Sequence, residues 1–239
     1  MKKATFAYDT DVVMPVDDGT TAVVIHTTVT NSGDAVKSFL REIRRTTGAG
    51  GKNEPPLIVG LDTEWRVVVS HDDGYRDNRM AVLQLCVGHR CLVFQIVHAD
   101  YVPAALRAFL ANPDHRFVGV SVDGDVERLY CDCKILVATP VDLRHVAAEV
   151  LSRPELRRAG LKALVREVMG VVMEKPKHVT MSRWSRRPLS PEQVRYAAID
   201  AFVSYEAGRL LLTSQRALEL EDAAGAAGTI SPFVCFELP

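Results

Sequence analysis

Four carboxylates in this chain stand where packing rules would not place a charge. Asp62 and Glu64 close the short apolar run Leu57-Ile58-Val59-Gly60-Leu61, and a spacing of two puts both on one face of a strand. Carboxylates held that close repel and raise each other's pKa unless a cation lies between them. For an isolated Asp-x-Glu the plain alternative is a strand already ended and two solvated loop residues. Asp200 falls in the stripe Tyr196, Asp200, Val203, Ala207, Leu210, whose helical spacing predicts an inward face and whose other members are apolar or aromatic. An unpaired charge there is too costly to persist. Asp200 therefore needs a cation, an Arg partner or capping amides. Asp125 follows the predicted strand 117–122 and is placed to cap the next helix, with Asp123 competing for any chemical role. A strand end, a strand–helix junction and a helix interior can converge on one pocket. Oxygen donors with no matching His or Cys cluster suit Mg²⁺ or Mn²⁺ rather than Zn²⁺.

Taken in chain order, these residues resemble a known family. Asp62-Thr63-Glu64-Trp65 resembles the first exonuclease motif of the DEDD superfamily, and Gly119-Val120-Ser121-Val122-Asp123-Gly124-Asp125 resembles the second. Tyr196-Ala197-Ala198-Ile199-Asp200 resembles the third in its Tyr-x-x-x-Asp form, the mark of the DEDDy branch. Val82-Leu83-Gln84-Leu85-Cys86 and Met181-Ser182-Arg183-Trp184-Ser185-Arg186-Arg187-Pro188-Leu189 look like the exonuclease domain of the Werner-syndrome type, close to ribonuclease D. The resemblance covers about residues 55–213. It implies an α/β, RNase H-like fold, a mixed sheet flanked by helices. The implied activity is 3′→5′ hydrolysis of phosphodiester bonds from the end of a single-stranded or 3′-recessed nucleic acid, releasing 5′-mononucleotides with two Mg²⁺ or Mn²⁺ ions.

By that resemblance Asp62 would bridge both ions, Glu64 and Asp200 would hold the one that activates water, and Asp125 would help hold the other. Tyr196 would orient the attacking water, and a spacing of four puts it on the same helix face as Asp200. The family pattern sets its second acid directly after Gly124, which selects Asp125 over Asp123. Two cations about 4 Å apart stabilise the attacking and leaving oxygens of an in-line displacement, and they offset the crowding of the acids. The rival readings are a catalytically silent scaffold of the same fold that binds RNA or a protein, and a domain holding one structural ion. The complete acid set with Tyr196 speaks against the silent scaffold.

Residues 175–187 carry Lys175, Lys177, Arg183, Arg186 and Arg187 and no acid, which makes them candidates for phosphate contact, with Trp184 available for stacking. The plain alternative is a solvated basic loop. Trp65 is placed to wedge against a terminal base or to serve as core. Residues 71–78 lack the closing Glu of a calcium loop and are expected to form a mobile loop beside the first motif. Residues 169–173 are expected to be a helix end and core rather than a cofactor box.

The elements that must position these groups follow from hydrophobic periodicity. With 239 residues, 47% hydrophobic and 25% charged, the chain suits one α/β domain with a small appendage. We divide it into an N-terminal strand-and-helix extension (1–54), an exonuclease domain (55–213) and a C-terminal segment (214–239). The extension reads as strand material at 22–25 and 27–30 beside the turn Asp17-Asp18-Gly19 and a helix opening at Asn31-Ser32-Gly33-Asp34, closed by a Gly/Pro-rich break at 46–56. The domain reads as strands at 57–62, 80–87, 91–96 and 117–122, with helices at 102–110, from 125, at 143–152 and at 161–169. A last helix starts at the capping box Ser190-Pro191-Glu192-Gln193. Residues 223–228 read as a Gly/Ala linker, and the apolar tail (Ile230, Phe233, Val234, Phe236, Leu238) is expected to dock and favour a homo-oligomer.

A net charge of −1 gives no global field for nucleic acid, so binding must rest on a local patch or on bound cations. The five cysteines, Cys86, Cys91, Cys131, Cys133 and Cys235, follow no disulfide or zinc spacing and are expected to be reduced thiols. With no apolar run of membrane-spanning length and no signal-peptide core, an intracellular protein, nuclear or cytoplasmic, is expected. The choice between DNA and RNA stays open at this level.

Overall fold

The computed structural model describes residues 4–16, 21–48, 57–69 and 76–225. Its strands are β1 (Ala7–Val16), β2 (Thr21–Thr30), β3 (Ile58–Val69), β4 (Arg76–Val87), β5 (Arg90–Phe94), β6 (Arg116–Gly119) and β7 (Pro140–Asp142). Its helices are α1 (Gly33–Thr47), α2 (Ala104–Leu110), α3 (Val122–Cys133), α4 (Leu143–Val150), α5 (Leu161–Met169), α6 (Lys177–Thr180) and α7 (Pro191–Gly225). All the strands join one mixed sheet in the order β1-β2-β5-β4-β3-β6-β7. The N-terminal hairpin extends that sheet, because β2 pairs in parallel with β5. In the centre, β3 pairs antiparallel with β4 and parallel with β6.

Alternation along the central strands builds two cores. Leu61, Leu83 and Leu85 face α1, α2 and α3, whose buried residues include Phe39, Leu106 and Leu129. Val82 and Cys86 face the opposite side, among Ala197, Ala198 and Ala201 of α7. Helix α7 can start where it does because its capping box forms. The Ser190 N–H donates to Gln193 Oε1 (3.0 Å) and the Gln193 N–H donates to Ser190 Oγ (3.2 Å). Gly170 ends α5 in the left-handed region, with Val171 and Met173 buried behind it, as a helix end and core.

Helix α7 lies against the sheet backbone to backbone. A Cβ at Gly60 would stand 2.1 Å from the Ala201 carbonyl oxygen and 2.7 Å from the Tyr205 nitrogen. On the helix side, a Cβ at Gly208 would meet Val118 Cγ2 at 2.6 Å. Only glycine permits both approaches. Because Gly60, Asp62 and Glu64 share a face of β3, the same contact sets how far those acids lie from α7.

Several boundaries differ from the sequence expectation. The strand of the first motif does not end at its acids but runs to Val69, with the pairing register shifting between Glu64 and Trp65. The bulge re-aims the strand just past the acids. β6 stops at Gly119, the chain turns through Ser121 in the left-handed region (φ 61°), and α3 begins at Val122. Asp125 therefore sits inside the first turn of α3 and is not its cap. Helix α7 continues to Gly225, into the expected linker, while the apolar tail lies outside the described residues, as do residues 71–75 of the expected loop. Arg76, Asp77 and Asn78 belong to β4.

The expectation of reduced thiols is corrected at one pair. Cys86 and Cys91 are direct cross-strand partners in the β4–β5 hairpin, 4.2 Å apart at Cα, and form a disulfide. Register rather than sequence spacing brings them together. Cys131 and Cys133 are free, Cys235 lies outside the described residues, and the thiol-based argument for an intracellular protein falls. Among the described residues no helix is long and apolar enough to cross a membrane.

Gly60→Ala is expected to cost about 1–3 kcal/mol, as overpacking does, and to reduce activity more than stability alone explains, since α7 must shift relative to Asp62. A wild-type Tm with wild-type turnover in this variant would remove the backbone contact from the account.

Candidate active site

The middle of β3 brings Asp62 and Glu64 to one face, α7 supplies Tyr196 and Asp200 from above that face, and α3 supplies Asp125. Asp200 is 2% exposed and Asp125 8% exposed, so neither is solvated as an ordinary surface acid. Tyr196 stands one turn before Asp200 on α7, close enough for its phenol and that carboxylate to interact electrostatically.

The acids feel one another. Burial, then Asp200 and Asp125, push the Asp62 carboxyl well above the usual range. Burial, then Asp62 and Asp200, push Glu64 up to about 10. Burial raises Asp125 to about 7 against the pull of a Thr63 hydrogen bond. Asp200 is raised by burial and held back by Lys175. Burial also raises the Tyr196 phenol, with Asp200, Glu64 and Asp62 adding to the effect, so it stays a hydroxyl donor.

Thr63 is a member of the site that the sequence reading missed. Strand alternation points it away from Asp62 and Glu64, towards α3, where its hydroxyl donates to Asp125. The same oxygen accepts the Trp65 indole N–H at 2.7 Å. A hydroxyl has one proton to donate and lone pairs to spare, so Trp65 orients Thr63 and Thr63 orients Asp125. The Trp65 ring is half-buried, and the Arg128 guanidinium lies 5.5 Å from its centroid.

The basic stretch is split by the fold. Lys175 does not face outward for phosphate. Its Nζ lies 2.5 Å from Asp200 Oδ2 and 5.4 Å from the Tyr196 ring centroid. Trp184 is not a stacking platform either. It is 1% exposed, tilted against Tyr196, and its indole N–H donates to the Thr180 carbonyl at 3.2 Å. An aromatic flanked by Arg residues looks available in sequence, yet its apolar area is worth more in the core. Lys177, Arg183 and Arg186 are exposed and have no ion-pair partner among the described residues. Arg187 is exposed and donates to the Ala4 carbonyl. The loop bearing them is fixed at its backbone: Gln95 Nε2 donates to the Arg186 carbonyl (2.9 Å) and Gln193 Nε2 reaches Ser182 Oγ (2.8 Å). A cavity of about 470 Å³ opens beside Tyr196 and Asp200, walled by Met14 and Pro15 of β1 and by residues of 171–179.

As the side chains stand, no group of three His, Cys, Asp or Glu among the described residues converges to grip one ion. The donor set nevertheless fits hard divalent cations. Asp62, Glu64 and Asp200 share the Lys175 ammonium as a neighbour, Asp125 stands buried close by, and Asp200 Oδ1 is buried with no hydrogen-bond partner. An all-oxygen set of this kind suits Mg²⁺ or Mn²⁺.

The family profile described as 3′-5′ exonuclease matches residues 31–211, which include all of these groups. The chain belongs to the 3′-5′ exonuclease family. Members of this family depend on divalent metal. This exonuclease domain is similar to the mouse bifunctional 3′-5′ exonuclease/ATP-dependent helicase WRN, at 36% identity over 146 residues, 61% of this chain and 10% of that protein. It is similar to an Arabidopsis thaliana 3′-5′ exonuclease at 30% identity, over 64% of this chain and 52% of the relative. It thus spans about half the length of that plant relative and a small part of the mouse one. In fold it is similar to Escherichia coli RNase D, with a TM-score of 0.64 at 21% identity, covering 82% of this chain and 47% of that one. The α/β fold is thus that of RNase H-like exonucleases.

The raised carboxyls give a signed pH dependence. A pKa raised on folding means the folded state binds more protons than the unfolded one, so the protonated acids contribute stability below about pH 4 that is lost as pH rises through about 7 and then about 10. In EDTA, Tm is expected to fall from pH 5 to pH 9, and Glu64→Gln should flatten the upper part of that fall. A Tm independent of pH across this window would mean that the acids are not crowded.

Proposed function

We propose that this domain removes nucleotides one at a time from the 3′ end of a nucleic-acid strand, releasing 5′-mononucleotides. The observation that carries the reading is the crowding of Asp62, Glu64 and Asp200 about the Lys175 ammonium, with Asp125 close to Asp62 and a protonated phenol on the helix face of Asp200. Such crowding is relieved by protonation or by bound cations, and cations are the relief available while the acids stay ionised.

Asp62, Glu64, Asp125 and Asp200 would hold two divalent cations. When bound, those ions supply charge stabilisation to the entering and leaving oxygens of an in-line phosphoryl transfer. The Tyr196 hydroxyl, kept protonated by its buried, acidic surroundings, would hold the attacking water by a hydrogen bond. Thr63 keeps Asp125 in one orientation, and the burial of Asp125 beside an exposed Asp123 supports Asp125 as the second-motif acid. Lys177, Arg183, Arg186 and Arg187 would meet the phosphates of the incoming strand, because Lys177, Arg183 and Arg186 are free of ion pairs and all four are exposed. The cavity beside Tyr196, within the size range of small-ligand pockets, would give the terminal nucleotide room next to Asp200. A single strand or a recessed 3′ end would fit the open approach. The relatives' names include both an exoribonuclease and a helicase-linked exonuclease, so both DNA and RNA strands are proposed as substrates.

Purified protein, Mg²⁺ and a 5′-labelled strand are expected to give a ladder shortened from the 3′ end, abolished by EDTA. Full activity in EDTA, or shortening from the 5′ end, would overturn the reading. Asp125→Ala should lower kcat by orders of magnitude while Asp123→Ala changes it little, and the reverse result would move the second motif by two residues. Tyr196→Phe should lower kcat strongly with a nearly unchanged Tm. A large loss of Tm with retained turnover would make the phenol a structural partner of Asp200.

A further inference from the structure

Gln84 is fully buried, 0% exposed, and neither its Nε2 nor its Oε1 has a hydrogen-bond partner. Leaving a buried amide unsatisfied costs about 1–3 kcal/mol per group, so a residue of this kind calls for a partner that another state of the protein provides. Its position says which. Gln84 of β4 is the direct antiparallel partner of Asp62 of β3. Directly opposed residues share a face of the sheet with Cβ atoms about 4.5–5.5 Å apart, within reach of a Gln side chain. That face is the one covered by α7, since Val82 and Cys86, two residues either side of Gln84, pack among Ala197, Ala198 and Ala201. A buried amide therefore stands next to the most crowded carboxylate of the site, with nothing else to bind.

We propose that Gln84 is a positioning residue for Asp62: its amide N–H donates to the Asp62 carboxylate when that carboxylate holds metal. The proposal rests on the metal-dependent reading of the site. With cations at the site, that hydrogen bond fixes which way the Asp62 oxygens point. Partners that orient metal-binding carboxylates in this way typically change metal affinity by about 10–100-fold when removed. An uncharged donor suits this position, because a Lys at this depth would compete with the ions for Asp62.

The test uses the intact chain and the metal itself. Gln84→Leu keeps roughly the shape and removes both orphaned polar atoms, and Gln84→Met is the second variant. Mn²⁺ affinity is measured by isothermal titration without substrate, and Tm is measured in EDTA. The expected result is a metal-free Tm equal to or above wild type together with Mn²⁺ binding weaker by about tenfold or more, and a KM for the strand that does not change. A lower metal-free Tm with unchanged Mn²⁺ affinity would show a structural hydrogen bond and overturn the proposal, as would failure of both variants to fold. Unchanged affinity and unchanged Tm would overturn it as well. Failure of the exonuclease reading looks different: wild type would bind Mn²⁺, the variants would bind it more weakly, and no strand would be digested. Wild type that binds no Mn²⁺ would overturn both.

Discussion

The site depends on one close contact, the backbone of α7 resting on β3 at Gly60. Three of the four acids in the constellation are placed by reference to it. Asp62 and Glu64 follow Gly60 on the same face of the strand, and Tyr196 and Asp200 lie on the helix just before Ala201, whose carbonyl makes the contact. A side chain at position 60 would lift the helix by a substantial fraction of a side-chain layer. Gly208 repeats the arrangement one strand over, against Val118 of β6, so the helix is seated at two points and cannot simply tilt away from one of them.

Seating the helix this closely creates the electrostatic problem that the function uses. Desolvation and mutual repulsion push Asp62, Glu64 and Asp200 towards the protonated form, and the one nearby ammonium, Lys175, answers only part of that charge. A domain built for stability alone would not gather four acids under a helix. The surrounding residues are arranged to hold the acids in place rather than to neutralise them. Thr63 and Trp65 fix Asp125, and Tyr196 stands one turn from Asp200. The result is a cluster of oxygen donors that, on the proposed reading, cations would draw together, with the fixed hydrogen bonds limiting where that charge can sit.

Local signals were legible in the sequence. The capping box at Ser190 and Gln193, the β4–β5 hairpin, the helix end at Gly170 and the inward stripe through Asp200 all follow from spacing within about one turn or one strand. What escaped depends on contacts between distant segments. The Cys86–Cys91 disulfide follows from hairpin register, the Lys175–Asp200 ion pair from how the chain before α6 crosses α7, and the burial of Trp184 from the loop that Gln95 and Gln193 pin down. The strand of the first motif looked shorter than it is, because Glu64 and Arg66 interrupt its apolar pattern at the point where a bulge turns them to new surroundings. Thr63 was hidden between two more conspicuous acids, and its role appears only when alternation is combined with the position of α3.

The most direct measurement is a crystal of the protein soaked in Mn²⁺, read by anomalous scattering. The expected result is ion density in contact with Asp62 and Asp200, with Lys175 Nζ moved off Asp200 and no ion elsewhere in the domain. A soaked crystal in which Lys175 still holds Asp200 and no manganese lies among the four acids would contradict the central claim that the crowding of these carboxylates is there to bind catalytic cations.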